Sequence, residues 1–366
     1  MHIIDDIERE MAVEEGQAIV LSPVTLADLY KEPMPEVQWL AKDLIPLGAV
    51  TAITGDSNAY KTFLSCSLAG SVVSGEPFLG HFPTTKGKVL VIDEENHRLF
   101  ILRKRFEAMG VAETNDLKIL SQQGVKLDIE KYCTALKEVL DKERPALLVL
   151  DSLVRFHSKE ENSSTEMSKV MNAIRGLVAD DRAVVVIHHH KKEQGFKRKN
   201  SSQNVRGSSD IFASLDCHLA IDRKDYDTSI KVSQNKLRVQ EQLQPFIASL
   251  VTLENGTIAF EYQGEDTSRQ ERIAEVTDEV KAVLAASAEP LPLKTLREEV
   301  DATKGMITEA LKLMEDSGEL KKGRRARGAY FYSLSKEEGG NGDSYSEETD
   351  VVDSADEESD PSALPF

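Results

Sequence analysis

The run AVTAITGDSNAYKTFLSCSLAGSVV, residues 49 to 73, decides the fold. Its first six residues are apolar or β-branched and end at a glycine, which predicts a buried strand. GDSNAYKT, Gly55 to Thr62, then sits between strand and helix, where the pattern G-x4-G-K-[ST] belongs, and FLSCSLAGSVV continues as an apolar helix. In such a loop successive backbone N–H groups and the helix N-terminus surround phosphates. Gly55, Asp56, Ser57, Asn58, Ala59, Tyr60, Lys61, Thr62 and Phe63 are therefore candidate nucleotide contacts. Lys61 would reach the β and γ oxygens of bound ATP, and the Thr62 hydroxyl would hold Mg2+. One position departs from the pattern. Tyr60 stands where the last glycine is expected, and a side chain there resists the dihedrals and the close backbone approach that glycine supplies. Read alone, the octet also fits an ordinary Gly-Asp turn before a helix.

Outward from this stretch the same texture repeats. KVLVID (88 to 93), ALLVLD (146 to 151), AVVVIH (183 to 188) and HLAID (218 to 222) are short apolar runs separated by helix-length segments. Continuous Val, Leu and Ile runs at this spacing predict parallel strands covered on both faces, an α/β fold with a mostly parallel sheet. Three of the runs end in acids, and two of those ends suit a magnesium or water site. Asp151 closes a strand and precedes a hydroxyl residue, an arrangement suited to the water shell of a magnesium ion, although an Asp capping the next turn reads the same way. VIDEEN (91 to 96) offers Asp93, Glu94 and Glu95 at the same carboxyl edge, where one of them could activate water or all could form a solvated loop.

With these elements in order, the segment from Trp39 to about Leu250 resembles the RepA-like hexameric replicative helicase ATPases of the RecA-like superfamily. The resemblance rests on WLAKDLIPLGAVTAITGDSNAYKTFLS, SVVSGEPFLGHFPTTKGKVLVIDEEN, LLVLDSL, VVVIHHHKK and RGSSDIFASLD. It implies a RecA-like core in which Glu95 activates water, Asp151 supports the metal, and His188 and His189 form a sensor of the γ-phosphate. It also implies a charge donated across a subunit interface, for which Arg206, Lys236 and Arg238 are the candidates, each otherwise a surface charge. The histidines would otherwise merely end a strand.

The chain has 366 residues and a formal charge of −18, but the charge is not spread evenly. Residues 336 to 366 hold eleven acids against one Lys, a net −10 that leaves −8 for the rest. Two basic clusters stand out against that background. KKEQGFKRKNSSQN (191 to 204), with Lys191, Lys192, Lys197, Arg198 and Lys199, follows the sensor strand and carries one Phe, so it reads as a channel loop for single-stranded DNA or as a solvated surface loop. Lys321, Lys322, Arg324, Arg325 and Arg327 lie in LKKGRRARGAYFYSL, which predicts a β-hairpin after three amphipathic helices, a winged helix. Such a module binds duplex DNA or another protein.

The expected boundaries are an N-terminal arm (1 to 35), an ATPase core (36 to 262), a polar linker (263 to 271), the winged helix (272 to 335) and an acidic disordered tail (336 to 366). The tail ends in DPSALPF, which resembles the Phe-ending tip of bacterial single-stranded-DNA-binding proteins, so a replication protein is one docking partner; solubilisation is the plainer role. Cys66, Cys133 and Cys217 have neither disulfide nor zinc spacing. MHIIDDIEREM lacks the basic and apolar regions of a signal peptide, so a cytoplasmic protein with no membrane partner is expected. The leading expectation is a homo-hexameric Mg·ATP-driven DNA helicase or translocase. Its rivals are an ATP-gated DNA-binding regulator or initiator with slow hydrolysis, and a recombination-mediator ATPase that coats single strands.

Overall fold

The structure, a computed structural model, describes residues 22–189, 209–224, 227–324 and 330–335. The chain divides into two units, Met1–Asp266 and Thr267–Phe366. Among the described residues no helix is long and apolar enough to cross a membrane.

In the first unit a short helix, α1 (Leu26–Leu29), is capped by Thr25, and a small antiparallel pair, β1 (Trp39–Ala41) and β2 (Ile45–Pro46), follows. The main sheet contains β3 (Val50–Gly55), β4 (Val89–Asp93), β5 (Leu117–Ser121), β6 (Leu147–Asp151), β7 (Ala183–His189), β8 (Cys217–Asp222), β9 (Ser229–Leu237), β10 (Phe246–Thr252) and β11 (Ile258–Glu265). Their order is β11-β10-β9-β8-β3-β7-β6-β4-β5. All pairs from β8 to β5 are parallel, while β9, β10 and β11 extend the sheet as an antiparallel meander.

The parallel half follows from the apolar runs. β3, β4 and β6 are buried at every position, and a strand with no polar face has to be covered twice. Successive residues serve opposite faces. Ile53, Val91, Val149 and Val185 pack with Leu64, Leu68 and Val72 of α2 (Lys61–Ser74) and with Phe106 of α3 (Lys104–Ala108). Their neighbours Ala52, Ile92, Leu150 and Val186 pack on the other face with Leu136 and Leu140 of α4 (Glu130–Glu143) and with Met167, Val170 and Ile174 of α5 (Ser164–Arg175). A short helix, α6 (Ser209–Ser214), joins that second layer through Ile211. The expected α/β sheet with helices on both faces is therefore present.

The second unit contains α7 (Ser268–Ala286), β12 (Leu291–Pro292), α8 (Leu293–Glu299), α9 (Lys304–Asp316), β13 (Leu320–Arg324) and β14 (Tyr330–Leu334). Its core gathers Val276, Val280, Leu284, Leu296, Ile307, Leu311, Met314 and Leu320. Thr303 caps α9 by accepting from the Met306 N–H, and Gly318 takes the left-handed turn that follows it, φ +77°. The polar stretch 263 to 271 is not a separate linker: Gln263 to Glu265 finish β11, and α7 starts at Ser268.

Candidate functional site

The loop after β3 opens at the carboxyl edge of the sheet. Gly55 is confined there, because a Cβ would lie 2.6 Å from the Ile221 carbonyl oxygen on β8 and 3.3 Å from the Ala59 Cβ. Asn58 (φ +68°) and Tyr60 (φ +61°) both take the left-handed conformation, so the chain makes the turn glycine would make despite carrying a tyrosine. Tyr60 ends the loop as the N-cap of α2 and supplies no side-chain cap to it. Asp56, Ser57 and Asn58 are exposed, and Ala59 is buried with its N–H on the Asp56 carbonyl. Phe63 packs edge-on to Tyr60 and lies beneath the Arg105 guanidinium, 4.9 Å from its ring centre.

Lys61 is folded inward, its ammonium donating to the Gly55 carbonyl at 3.0 Å and the Asp56 carbonyl at 2.7 Å. Burial pushes its pKa down, opposed by the charges of Asp151, Asp56 and Glu95. One residue on, the Thr62 hydroxyl donates to Asp151 Oδ2 at 2.7 Å. Asp151 is 2 % exposed, and its pKa is pushed up to about 7, first by burial and then by the Asp93 carboxylate; the Thr62 bond and Lys61 act the other way. A hydroxyl and a carboxylate in contact beside an inward-facing ammonium form a donor set that fits Mg2+ and a polyphosphate.

The three acids at the end of β4 have separate tasks. Asp93 folds the loop, accepting from the Glu95 N–H at 2.9 Å, the Asn96 N–H at 2.7 Å and the Asn96 side chain. Glu94 ties the loop after β5 through the N–H groups of Gln123, Gly124 and Val125. Glu95 instead reaches toward β6: its Oε1 accepts from the Ser152 hydroxyl at 2.8 Å and from Arg155 Nε at 3.3 Å. Ser152 adjoins Asp151, so Glu95 and the candidate metal pair share one corner of the site. β7 lies between β3 and β6, and His188 and His189 stand in register with Thr54 and Gly55. His188 is buried.

The remaining candidates separate. Arg206 and Lys191, Lys192, Lys197, Arg198 and Lys199 lie outside the described residues, as do Arg325 and Arg327. Lys236 donates to the carbonyls of Phe212 and Ala213, both at 2.9 Å, and Arg238 to that of Ala213 at 2.7 Å with an ion pair to Asp216. Both are thus bound to α6 and its following turn within the same chain. In the second unit Lys321, Lys322 and Arg324 are exposed on β13; Lys322 pairs with Glu315, and Lys322 and Arg324 lie over the Tyr330 ring.

The fold also brings in three residues that sequence reasoning misses, and gives Ser152 a second task. Ser152 and Arg155 hold Glu95. His218, fully buried on β8, shares a 2.7 Å hydrogen bond with Thr54 Oγ1 and meets Phe212 edge to face. Arg223 reaches back from the end of β8 to the phosphate loop. Ser152 stands out in sequence only as the hydroxyl after Asp151, and no spacing marks the other three.

Residues 17–195 match a family described as an AAA domain, a span that includes the loop, Glu95, Asp151 and His188. The RadB recombinase is similar over 59 % of this chain and 91 % of its own, at 18 % identity and a TM-score of 0.43. A KaiC-like protein from Pyrococcus horikoshii OT3 is similar over 63 % of this chain and 100 % of its own, at 12 % identity and a TM-score of 0.45. The strand order places one parallel strand, β7, between the loop strand β3 and the Asp151 strand β6.

Proposed function

We propose that the chain is an Mg·ATP-hydrolysing ATPase acting on DNA, a helicase or translocase of the RepA-like type used in replication or recombination. The observation that carries this reading is the convergence of Lys61, Thr62, Asp151 and Glu95 at one corner of the carboxyl edge. Lys61 would leave the loop carbonyls for the β and γ oxygens of ATP, a short swing because its ammonium already lies inside the loop. Thr62 and Asp151 would hold Mg2+, which when bound neutralises charge on the β and γ phosphates. Glu95, oriented by Ser152 and Arg155, takes the proton of the attacking water.

The partners follow the same reading. The bonds of Lys236 and Arg238 within their own chain support Arg206 as the residue that acts across a subunit interface in a hexameric ring. Single-stranded DNA would run along the basic segment 191 to 204. The second unit, three helices and a hairpin, reads as a winged helix whose Lys321, Arg324 and half-exposed Tyr330 suit phosphates of duplex DNA. The acidic tail would dock a replication protein.

Hydrolysis of Mg·ATP measured with and without single-stranded DNA, paired with an unwinding assay on a forked duplex, tests the proposal. Turnover stimulated by the single strand together with strand separation supports the motor. ATP binding with negligible turnover on any DNA would favour a nucleotide-gated regulator, and stimulated turnover without unwinding a mediator that coats single strands.

A further inference from the structure

The phosphate loop holds two residues in the left-handed region, Asn58 and Tyr60, and neither is glycine. A single side chain touches both. Arg223 Nη1 donates to the Asn58 carbonyl at 2.8 Å, and Nη2 donates to the Tyr60 hydroxyl at 2.8 Å. The guanidinium also lies over the Tyr60 ring, 3.7 Å from its centre, while Nε is fixed on the Asp227 carbonyl at 2.7 Å. Tyr60 is hemmed on its edges by Phe63 and Phe260, each with ring centres at 5.9 Å.

We infer that Arg223 is the positioning residue of the phosphate loop, supplying through its side chain what the last glycine of the pattern supplies through backbone freedom. A planar guanidinium donates two hydrogen bonds and covers a ring face at once, which an ammonium cannot do. Tyr60 offers the matching ring and hydroxyl, so its aromatic side chain is the handle by which a strained backbone is kept in place. Arg223 follows β8, the strand paired with β3, so the clamp is anchored to the neighbour of the loop's own strand. The loop is thereby set in shape before any nucleotide arrives, and loss of the clamp would be felt first as weaker capture of ATP. This deepens the ATPase reading and rests on it for its kinetic arm alone.

The test is a double-mutant cycle on the full chain with Arg223→Ala, Tyr60→Gly and the pair, read by ATPase kinetics and by amide hydrogen exchange of residues 55 to 62 without nucleotide. In the wild-type background Arg223→Ala is expected to raise KM for Mg·ATP about ten-fold with a smaller change in kcat, and to speed exchange of the loop by a similar factor. In the Tyr60→Gly background the same change should move both by less than about two-fold, because glycine needs no clamp. Arg223→Lys should resemble Arg223→Ala. Equal losses in both backgrounds, no loss in either, or full activity in Arg223→Lys would each overturn the inference. If the wild type does not bind Mg·ATP, the ATPase reading fails, and loop exchange in the four proteins of the cycle still decides on the clamp.

Discussion

The Thr62 hydroxyl and the Asp151 carboxylate meet at 2.7 Å, joining the first turn of α2 to the end of β6. The bond makes β6 answerable to the state of the phosphate loop, and it opposes the burial and the Asp93 charge that push the Asp151 pKa up.

Asp151 binds its proton more tightly in the folded chain than in the unfolded one, where its pKa is the ordinary 3.8 rather than about 7. The sign follows: between those values the folded state holds more protons, so Mg2+-free stability falls as pH rises toward 7 and stays reduced above it. Asp151→Asn should raise the melting temperature by several degrees at pH 8 and by much less at pH 4.5. A gain independent of pH would contradict the burial argument.

Glu95→Gln should lower kcat by roughly 10²- to 10⁴-fold, the usual worth of a general base, while leaving nucleotide affinity within about two-fold. Ser152→Ala, which removes the 2.8 Å hydrogen bond that orients Glu95, should lower kcat by a smaller factor, about ten-fold. Single-turnover hydrolysis beside equilibrium binding of a fluorescent ATP analogue separates the two effects. Unchanged kcat in Glu95→Gln would reassign the base.

Gly55→Ala puts a methyl group 2.6 Å from a backbone oxygen of β8, which has no rotamer through which to yield. Overpacking of this kind costs about 1–3 kcal/mol and forces β3 and β8 apart at the loop. The expected result is a lower denaturant midpoint together with lost nucleotide binding, measured by urea titration and by the same analogue. Wild-type values for both would refute it.

Ile307 is fully buried in the core of the second unit, and Ile307→Ala should remove about 2–5 kcal/mol from that unit. Differential scanning calorimetry should show one transition moving down while the transition assigned to the first unit, and the Mg·ATP affinity, stay in place.

Replacing Lys321, Lys322 and Arg324 by Ala should weaken duplex DNA binding uniformly across sequences. It should also flatten the dependence of log K on log salt by about 0.9 for each phosphate that the hairpin no longer neutralises. Lys322 is already paired with Glu315, so its share should be the least of the three. Affinities measured at several salt concentrations check this, and an unaltered slope would move the hairpin to a protein partner.

The parallel half of the sheet was legible because strands such as LLVLD are apolar at every position, and only two-sided burial tolerates that. The antiparallel half was hidden. SIKVSQNKL and IAFEYQGE mix polar and apolar residues along half-buried strands, a texture that loops share. In the site, Lys61 and Thr62 are candidates through a pattern whose spacing the phosphate geometry dictates, and Asp151 through its place at the end of an apolar strand. Among the acids at the end of β4 the residues alone left the choice open, since Asp93, Glu94 and Glu95 differ only in which backbone and side-chain donors the fold brings to them. Arg223 was invisible for a plainer reason: its partners Asn58 and Tyr60 lie far away in sequence, and a lone arginine after a strand has no motif.

The sheet order carries a consequence for how the chain is made. β3 is synthesised first of the nine strands, yet its two neighbours, β7 and β8, come only after β4, β5 and β6. The strand that bears the phosphate loop, apolar throughout, therefore leaves the ribosome with no edge to pair with, while β9 to β11 can zip into hairpins as they emerge. An orphaned strand of that kind is what chaperones hold and what aggregates capture, and β3 stays one until β7, its first partner, is made.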